Sequence, residues 1–389
     1  MGKPTPPFGV SKLNPPKWFR FQTAVRGFQR GQIHFLQKDE AADQLSISKI
    51  GAEVECCPKV SLFVPKPDQF LVARSTLPRY PTPQAEYHFG LVADLDLNSR
   101  DPQEFIWRLG RPKGRVVKLS SRQQRDRFTV VWDEELELRS STATRNRSME
   151  PAGVFEPRRL LLAFCDYSGI AYKIDALTGK VFQRWVIADG DGNEPKPFKA
   201  EWATIKGDFI WVGSIGFEWY GTSGEILHRN AEWVKVIDSN GWIRNLDWHP
   251  VYQAIRTATN TTLPGFLWHE AVEWEPVRRL WLMLPRFASN SSKYTPGLEH
   301  QDTTNMLIIA DESFVNIEVK RLDHHEPGYG FTSIRRLPGS RHLFMVLRVK
   351  ETAESQHTQA AIVDLEGNFY TDPPYIQVGS RKYEGLAFL

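Results

Sequence analysis

One pattern recurs five times along this 389-residue chain. In each copy a small or acidic residue opens an alternating strand, a turn follows, and a very apolar strand comes next. The five opening residues are Ala152, Glu201, Glu270, Thr332 and Glu384. A four-stranded propeller blade takes about 40–50 residues, and more where loops are inserted, which matches the spacing of the copies. The repeat therefore predicts an all-β chain built as a β-propeller.

The fifth copy is cut short, because only one strand, Glu384 to Leu389, follows its opening residue. One strand cannot form a blade, so its partners must come from the N-terminal end, where Phe89 to Leu95 is the first unassigned strand. Such pairing closes a ring and joins the two chain ends in one sheet. We predict a five-bladed β-propeller whose C-terminal strand closes the N-terminal blade. A β-sandwich with coincidental internal similarity is the alternative.

The domain organisation follows from the same pattern. Residues 51–389 are predicted to form a single propeller domain. Residues 1–50 are predicted to be a loosely ordered N-terminal arm, because their proline-rich and charged stretches show no sustained period.

Charge and composition exclude some classes of partner. The net charge is +3, and no block of Lys and Arg is interleaved with aromatics, so nucleic acid is not an expected partner. No run of about 18 apolar residues occurs, so no membrane span is expected. The three cysteines, Cys56, Cys57 and Cys165, do not form a disulfide framework and are predicted to be buried or free thiols.

Three N-x-S/T sequons begin at Asn146, Asn260 and Asn290. They predict a glycoprotein of the secretory route, either in the ER and Golgi or secreted. The stretch from Met1 to Phe21 lacks the apolar region of a signal peptide, so the sequence itself shows no signal or anchor.

The opening residues of the copies also predict a site. The first strand of each propeller blade lines the central channel, so Glu201, Glu270 and Glu384 should converge at one mouth. Like charges and desolvation make that arrangement costly. A hard divalent cation would neutralise it, and Ca²⁺ tolerates an irregular shell of 6–8 oxygen ligands. Ala152 and Thr332 could add backbone carbonyls. The alternative is that the carboxylates pair with Lys199 or with arginine side chains.

Two further acidic motifs need an interpretation. Asp94 and Asp96 end the Phe89 strand and share one face at a period of two, where either could accept a proton from water or bind the outer shell of the ion. A strand-end turn is the alternative. Asp189-Gly190-Asp191-Gly192 resembles a calcium loop, but it lacks the EF-hand spacing and is predicted to be a tight turn.

Several motifs, taken in order, resemble those of the calcium-activated nucleotidases. That family includes the vertebrate ER and Golgi enzyme and the salivary apyrases of some blood-feeding arthropods. The resemblance covers about residue 86 to the C-terminus. It rests on Ala93-Asp-Leu-Asp96, Ile187-Ala-Asp-Gly-Asp-Gly192, Phe198-Lys-Ala-Glu-Trp202, Asn230-Ala-Glu-Trp-Val-Lys235, His269-Glu270, Leu284-Pro-Arg286, Gly330-Phe331 and Lys382-Tyr-Glu-Gly385.

The resemblance implies a five-bladed propeller with a central Ca²⁺ that hydrolyses nucleotides such as UDP, GDP, ADP or ATP. It places the calcium carboxylates on Glu201, Glu270 and Glu384. Two further calcium positions, usually serine, fall here on Ala152 and Thr332. A second departure is Tyr167, where the family often has Arg, which removes one phosphate-binding cation.

The remaining roles are assigned as hypotheses. Lys199 and Arg286 would bind phosphate, with salt bridges to glutamate as the alternative. Asp94 would orient or deprotonate the attacking water. Trp202 or Trp233 would stack on the nucleobase, with core packing as the alternative.

Two other functional classes stay open. One is a different calcium-propeller hydrolase, such as a lactonase or esterase. The other is a non-catalytic propeller that keeps calcium for stability. Pairing of two rings as a homodimer is also left open.

Overall fold

The computed structural model describes residues 86–94, 107–119, 127–140, 151–155, 161–175, 178–221, 223, 225–295, 301–352 and 355–389. The predicted arm at 1–50 and the boundary at residue 51 lie outside these residues and stay predictions. Asp96, Cys56, Cys57 and Asn146 also lie outside them.

The described chain is almost entirely β-structure. In chain order the strands are β1 (Glu86–Asp94), β2 (Trp107–Leu119), β3 (Arg127–Ser140), β4 (Pro151–Phe155), β5 (Leu161–Cys165), β6 (Ile170–Ile174), β7 (Val181–Val186), β8 (Trp202–Lys206), β9 (Phe209–Gly213), β10 (Trp219–Tyr220), β11 (Ile226–His228), β12 (Trp233–Ile237), β13 (Ile243–Asp247), β14 (Phe266–Glu275), β15 (Leu280–Ser289), β16 (Met306–Asp311), β17 (Ile317–Arg321), β18 (Tyr329–Arg336), β19 (Leu343–Glu351), β20 (Gln356–Asp364), β21 (Ile376–Gly379) and β22 (Lys382–Phe388). A 3-10 helix covers Asn230–Glu232, and one α-helix, α1, covers His249–Thr259.

Twenty of these strands form five four-stranded antiparallel sheets, which are the blades of the predicted propeller, and β10 and β11 form a separate two-stranded sheet. From the inside outward, blade 1 is β22-β1-β2-β3 and blade 2 is β4-β5-β6-β7. Blade 3 is β8-β9-β12-β13, blade 4 is β14-β15-β16-β17 and blade 5 is β18-β19-β20-β21. The inner strands contact one another in the circular order β22, β4, β8, β14, β18 and back to β22. The five-bladed fold is therefore confirmed.

Blade 1 closes the ring from both ends of the chain. Strand β22 pairs antiparallel with β1, in a register that places Phe89 opposite Phe388 and Val92 opposite Gly385. The predicted pairing of the truncated fifth copy with the Phe89 strand is confirmed. The physical reason is that an unpaired inner strand would leave its backbone N–H and C=O groups without partners.

A register shift in the strand pairing marks the opening residue of four of the five repeats. Strands β4, β14, β18 and β22 each skip one residue in the register with their neighbour, and blade 3 has an extra backbone bond from the opening residue to Gly213 O at 2.8 Å. A β-bulge re-aims the side chain of the extra residue. The residues skipped at these shifts are Ala152, Glu270, Thr332 and Glu384, on the inner strands of blades 2, 4, 5 and 1, whereas Glu201 directly precedes β8 in a ladder without a shift.

Aromatic side chains pack between blades 3 and 4. Trp281 has its ring centroid 5.2 Å from that of Trp248 and 5.1 Å from that of Trp274. Helix α1 adds Tyr252 and Ile255 to this core. Helix α1 begins at His249, just after the end of β13 at Asp247. No helix among the described residues is long and apolar enough to cross a membrane.

Candidate active site

A cavity of about 680 Å³ lies among the inner strands, within the size range of small-molecule sites. Its wall carries charged side chains from blades 1, 4 and 5, from the turn after β5 in blade 2 and from the segment before β8. The carboxylates are Asp166, Glu201, Glu270, Glu351 and Glu384, and the cations are Lys199, Arg286 and Lys382. All three glutamates predicted from the repeat therefore line one cavity.

The three ring glutamates are nearly closed off from solvent. Glu201, Glu270 and Glu384 are 2%, 4% and 3% exposed. Burial raises the pKa of Glu201 to about 8, with Lys199 lowering it and the charge of Glu270 adding to the rise. Burial also raises the pKa of Glu384 well above its ordinary value, against the opposing effect of Lys382. The convergence therefore costs free energy, as like charges in a buried ring should.

Arg286 is the main counter-ion of the ring. Its Nη1 donates to Glu270 Oε1 at 2.9 Å and to Glu384 Oε1 at 3.1 Å, and its Nη2 donates to Glu351 Oε2 at 2.9 Å. Burial opposes the charge of Arg286, but these three carboxylates outweigh burial and raise the pKa of the guanidinium. One side chain of blade 4 therefore ties together blades 4, 5 and 1.

The bulge in blade 4 explains how Arg286 reaches Glu270. In the β14–β15 pair, Trp268 lies opposite Phe287 and His269 lies opposite Pro285, so Arg286 is skipped on β15. The next step of the same register skips Glu270 on β14. Both side chains are turned by neighbouring irregularities of one ladder, and both line the same cavity.

Two lysines complete the pairing of the ring. Lys199 Nζ lies 2.7 Å from Asp166 Oδ2 and also contacts Glu201 Oε1. Lys382 Nζ lies 2.7 Å from Asp94 Oδ2 and 3.4 Å from Glu384 Oε1. The alternative that the sequence left open, pairing of the carboxylates with Lys199 and arginine, describes the arrangement in this structure.

The cations do not balance the carboxylates of this cluster. Six carboxylates meet three cations, which leaves a surplus of three negative charges when all groups are ionised. The carboxylates are those of Asp94, Asp166, Glu201, Glu270, Glu351 and Glu384. A surplus of buried negative charge favours an additional cation.

The oxygen atoms of this cluster are of the chemical type that binds a hard cation. Its oxygens are carboxylates, the ligands that Ca²⁺ prefers, and Asp166 Oδ1 is buried without a hydrogen-bond partner. Among the described residues, however, no three acidic, histidine or cysteine side chains are gathered closely enough to hold a metal ion. In this structure the carboxylate oxygens are paired with the side chains of Lys199, Arg286 and Lys382 instead. Gathering the oxygens round one ion requires these cations to shift.

The other two predicted calcium positions lie on the inner strands. Thr332 is buried in β18, and its Oγ1 donates to Tyr383 O at 3.0 Å, so the hydroxyl joins blade 5 to β22. Ala152 lies at the register shift of β4. At both positions the backbone carbonyl remains the proposed ligand.

Asp94 lies at the edge of this cluster. It is the last residue of β1, is 1% exposed and contacts Lys382, which in turn contacts Glu384. Its connection to the ring thus runs through a lysine that sequence reasoning did not assign.

Trp202 packs in the core, which is the alternative that the sequence left open for it. Trp202 is 2% exposed, its Nε1 donates to Ser214 O at 3.1 Å, and its ring packs in the core near Trp281. Successive side chains of a strand point to opposite faces, so the residue after Glu201 faces away from the cavity. Trp233 is half-buried at the start of β12, where it pairs with Asp247, and it is not among the described residues that line the cavity.

The aromatic residues on the cavity wall are instead Trp268 and Phe287. Trp268 stands two residues before Glu270, and Lys382 stands two residues before Glu384. Residues two positions apart on a strand share one face, so this spacing would have predicted both residues on the cavity wall. Glu351 and Asp166 carry no comparable signal, because they reach the cavity from other parts of the blades.

The Asp189 loop is a turn that a buried lysine holds. Lys235 Nζ donates to Gly190 O at 2.5 Å and to Asn245 Oδ1 at 2.9 Å. Burial lowers the pKa of Lys235 to about 8, opposed by the charges of Asp189 and Asp191. The ammonium of Lys235 thus supplies positive charge at this loop and binds its backbone at Gly190. The loop forms a turn, as its sequence predicts.

Comparison with known proteins adds an independent result. A family model described as Apyrase matches residues 95–389. The "Soluble calcium-activated nucleotidase 1" of Rattus norvegicus is 33% identical over 306 residues, which cover 78% of this chain and 74% of the relative. The "Apyrase" of Cimex lectularius is 32% identical over 311 residues, covering 79% and 83%. "Apyrase apy-1" of Caenorhabditis elegans is 31% identical over 314 residues, covering 78% and 84%.

Proposed function

The chain belongs to the apyrase family, and from this premise we propose that it hydrolyses nucleotide phosphates with the help of calcium. The substrates would be nucleoside di- and triphosphates of the UDP, GDP, ADP or ATP class, which lose their terminal phosphate. The observation that carries this proposal is the cavity whose wall holds five carboxylates, the three ring glutamates among them, and three cations, so that negative charge is in surplus. Phosphoryl transfer needs mainly positioning and neutralisation of charge, which such a cavity can supply.

The residues that would hold Ca²⁺ are the ring glutamates, together with the backbone carbonyls of Ala152 and Thr332. Bound there, the ion would offset the charge that builds on the phosphate oxygens in the transition state. Glu201, Glu270 and Glu384 supply more negative charge than one divalent ion carries, so neutral carbonyls are a natural completion of its shell.

The three cations of the cavity would bind the phosphate chain. The guanidinium of Arg286 can donate two parallel hydrogen bonds to phosphate oxygens, while Lys199 and Lys382 act as point charges. In the structure each of the three is bound to carboxylates. We propose that they exchange these carboxylate contacts for contacts with phosphate.

The attacking water needs a group that orients it and accepts its proton. The water oxygen forms a bond to the terminal phosphorus, the bond from that phosphorus to the bridging oxygen breaks, and the proton passes to a carboxylate. Asp94, whose Oδ2 lies 2.7 Å from Lys382 Nζ, is our candidate for that carboxylate, and Asp96 is the second. Asp94→Asn should lower kcat more than it changes KM, because the acceptor acts in the chemical step.

The cellular setting is also a proposal. Asn260 and Asn290 are both exposed in the structure, as acceptors of N-linked glycans must be. Together with the family, they support the secretory route, in the ER and Golgi or outside the cell. A homodimer stays a prediction.

The test is a phosphate-release assay on UDP, GDP, ADP and ATP, in calcium and in chelator. We expect release in calcium, and loss of release in chelator and in Glu384→Gln. Glu366→Gln is the matched control, since its side chain is 73% exposed and pairs with Lys320 at the surface. Lactone opening without phosphate release would favour the lactonase alternative. Nucleotide binding without turnover would favour a non-catalytic propeller.

A further inference from the structure

An aromatic wall stands beside the charged part of the cavity. It consists of Trp268 on β14 and Phe287 on β15, two rings whose centroids lie 5.7 Å apart at an interplanar angle of 87°. Trp268 also packs on Phe217 at 5.7 Å and on Tyr294 at 5.4 Å. These contacts hold the indole in one orientation while part of its surface stays accessible.

The position of this wall relative to the cations suits a nucleotide. Phe287 follows Arg286 directly, and Trp268 lies opposite Phe287 in the strand register. The Nζ of Lys199 lies 5.9 Å from the centroid of the Trp268 ring. An apolar surface therefore lies near the cations that would bind phosphate, as the base of a nucleotide lies near its phosphate chain with only the ribose between them.

We propose that Trp268 is the surface on which the nucleobase stacks, with Phe287 supporting the indole edge-on. This inference rests on the proposed function and names the part of the substrate that the aromatic wall recognises. Stacking tolerates any base, because every base has a π-face. The wall would thus select nucleotides over base-free phosphate chains without fixing which nucleotide is preferred.

The size of the effect follows from base–aromatic stacking in general. Loss of one such contact should weaken nucleotide binding by roughly 10- to 100-fold. The same loss should leave the binding of a base-free diphosphate unchanged, since Arg286, Lys199 and Lys382 hold the phosphates. The change in the ratio of the two affinities when Trp268 is replaced therefore reports the contact between the indole and the nucleoside.

The experiment is calorimetric binding of a non-hydrolysable nucleotide, an α,β-methylene nucleoside diphosphate, and of methylenediphosphonate alone, both in calcium. We expect Trp268→Ala to weaken the first by roughly 10- to 100-fold and the second hardly at all. Trp268→Phe should restore much of the loss. Trp242→Ala, at a side chain that is 76% exposed in another blade, should change neither.

Equal binding of the nucleotide by wild type and Trp268→Ala would overturn the inference. Equal weakening of both ligands would also overturn it, because it would show that the indole only shapes the cavity. Should Trp268→Ala not fold, Trp268→Phe decides, since a smaller ring should still bind the nucleotide more weakly than indole. Phosphate release by the wild-type protein is measured separately, so failure of the proposed function can be told apart from failure of this inference.

Discussion

Replacement of Arg286 by methionine is the most informative single change, because one guanidinium contacts three buried carboxylates. Methionine keeps an unbranched apolar stem and removes the charge. The variant leaves Glu270, Glu384 and Glu351 without the hydrogen bonds that Arg286 now donates at 2.9–3.1 Å. In chelator we expect the folded protein to lose much of its stability.

The expected loss of stability in Arg286→Met follows from the burial of the ion pairs that Arg286 forms. Removing one partner of a buried ion pair costs about 3–5 kcal/mol, because the remaining charge is left uncompensated. A loss of 1 kcal/mol lowers the melting temperature of a large domain by about 2 °C, so the variant should melt roughly 6–10 °C lower in chelator. In calcium the loss should be much smaller, because a bound cation neutralises the same carboxylates.

The assay is thermal unfolding of wild type and variant, each in chelator and in calcium, at one scan rate. Arg279→Met is the matched control, since its side chain is 64% exposed and its surface pair with Glu312 should contribute about 0–1 kcal/mol. Equal melting temperatures for the two variants in chelator would refute the role of Arg286 as counter-ion. A drop for Arg286→Met that is the same in calcium would refute the idea that metal and guanidinium neutralise the same charges.

Three further outcomes are expected. Calcium should raise the melting temperature of the wild type, and Glu201→Gln should reduce that rise, because one ligand charge is lost; equal calcium effects in both proteins would remove Glu201 from the site. Burial raises the pKa of Glu232 from 4.5 to about 7, although His249 Nδ1 lies 2.7 Å from its carboxylate and opposes the rise. As pH rises, the unfolded chain therefore releases this proton before the folded protein does. The free energy of unfolding should then fall between about pH 4.5 and about pH 7. Glu232→Gln should flatten that fall in melting temperature, and an unchanged slope would contradict it. Thr332→Val should cost about 1 kcal/mol by removing the bond to Tyr383 O that ties blade 5 to the closing strand, as measured by denaturant unfolding.

Matched controls exist for the last two variants. Thr257→Val removes a hydroxyl bond to Gln253 O on the exposed side of α1, so its effect on unfolding should be smaller than that of Thr332→Val. Glu318→Gln alters a glutamate whose side chain is 63% exposed and should leave the pH slope unchanged. If Thr257→Val destabilises the protein as much as Thr332→Val, the bond to the closing strand has no special role.

The architecture could be predicted because it depends on repetition. Each copy of the pattern must form the same unit, and a single strand after Glu384 must find partners, so five blades closed by β22 follow from the residues alone. Convergence of Glu201, Glu270 and Glu384 follows in turn from their equivalent positions. These inferences need only the alternation of strands and the demand that backbone groups be paired.

The partners of those glutamates were decided only by the tertiary structure. Arg286 reaches Glu270, Glu351 and Glu384 on three blades, and no local pattern relates residues so far apart in the chain. The sequence likewise does not decide which tryptophan side chain faces the cavity, because Trp202 and Trp268 both stand close to ring glutamates. The alternation of side chains along the strand directs Trp202 into the core. The register of the β14–β15 pair places Trp268 on the cavity wall. Strand periodicity and the repeat thus determine which residues share a level of the ring, whereas packing and charge pairing across blades determine what each of them touches.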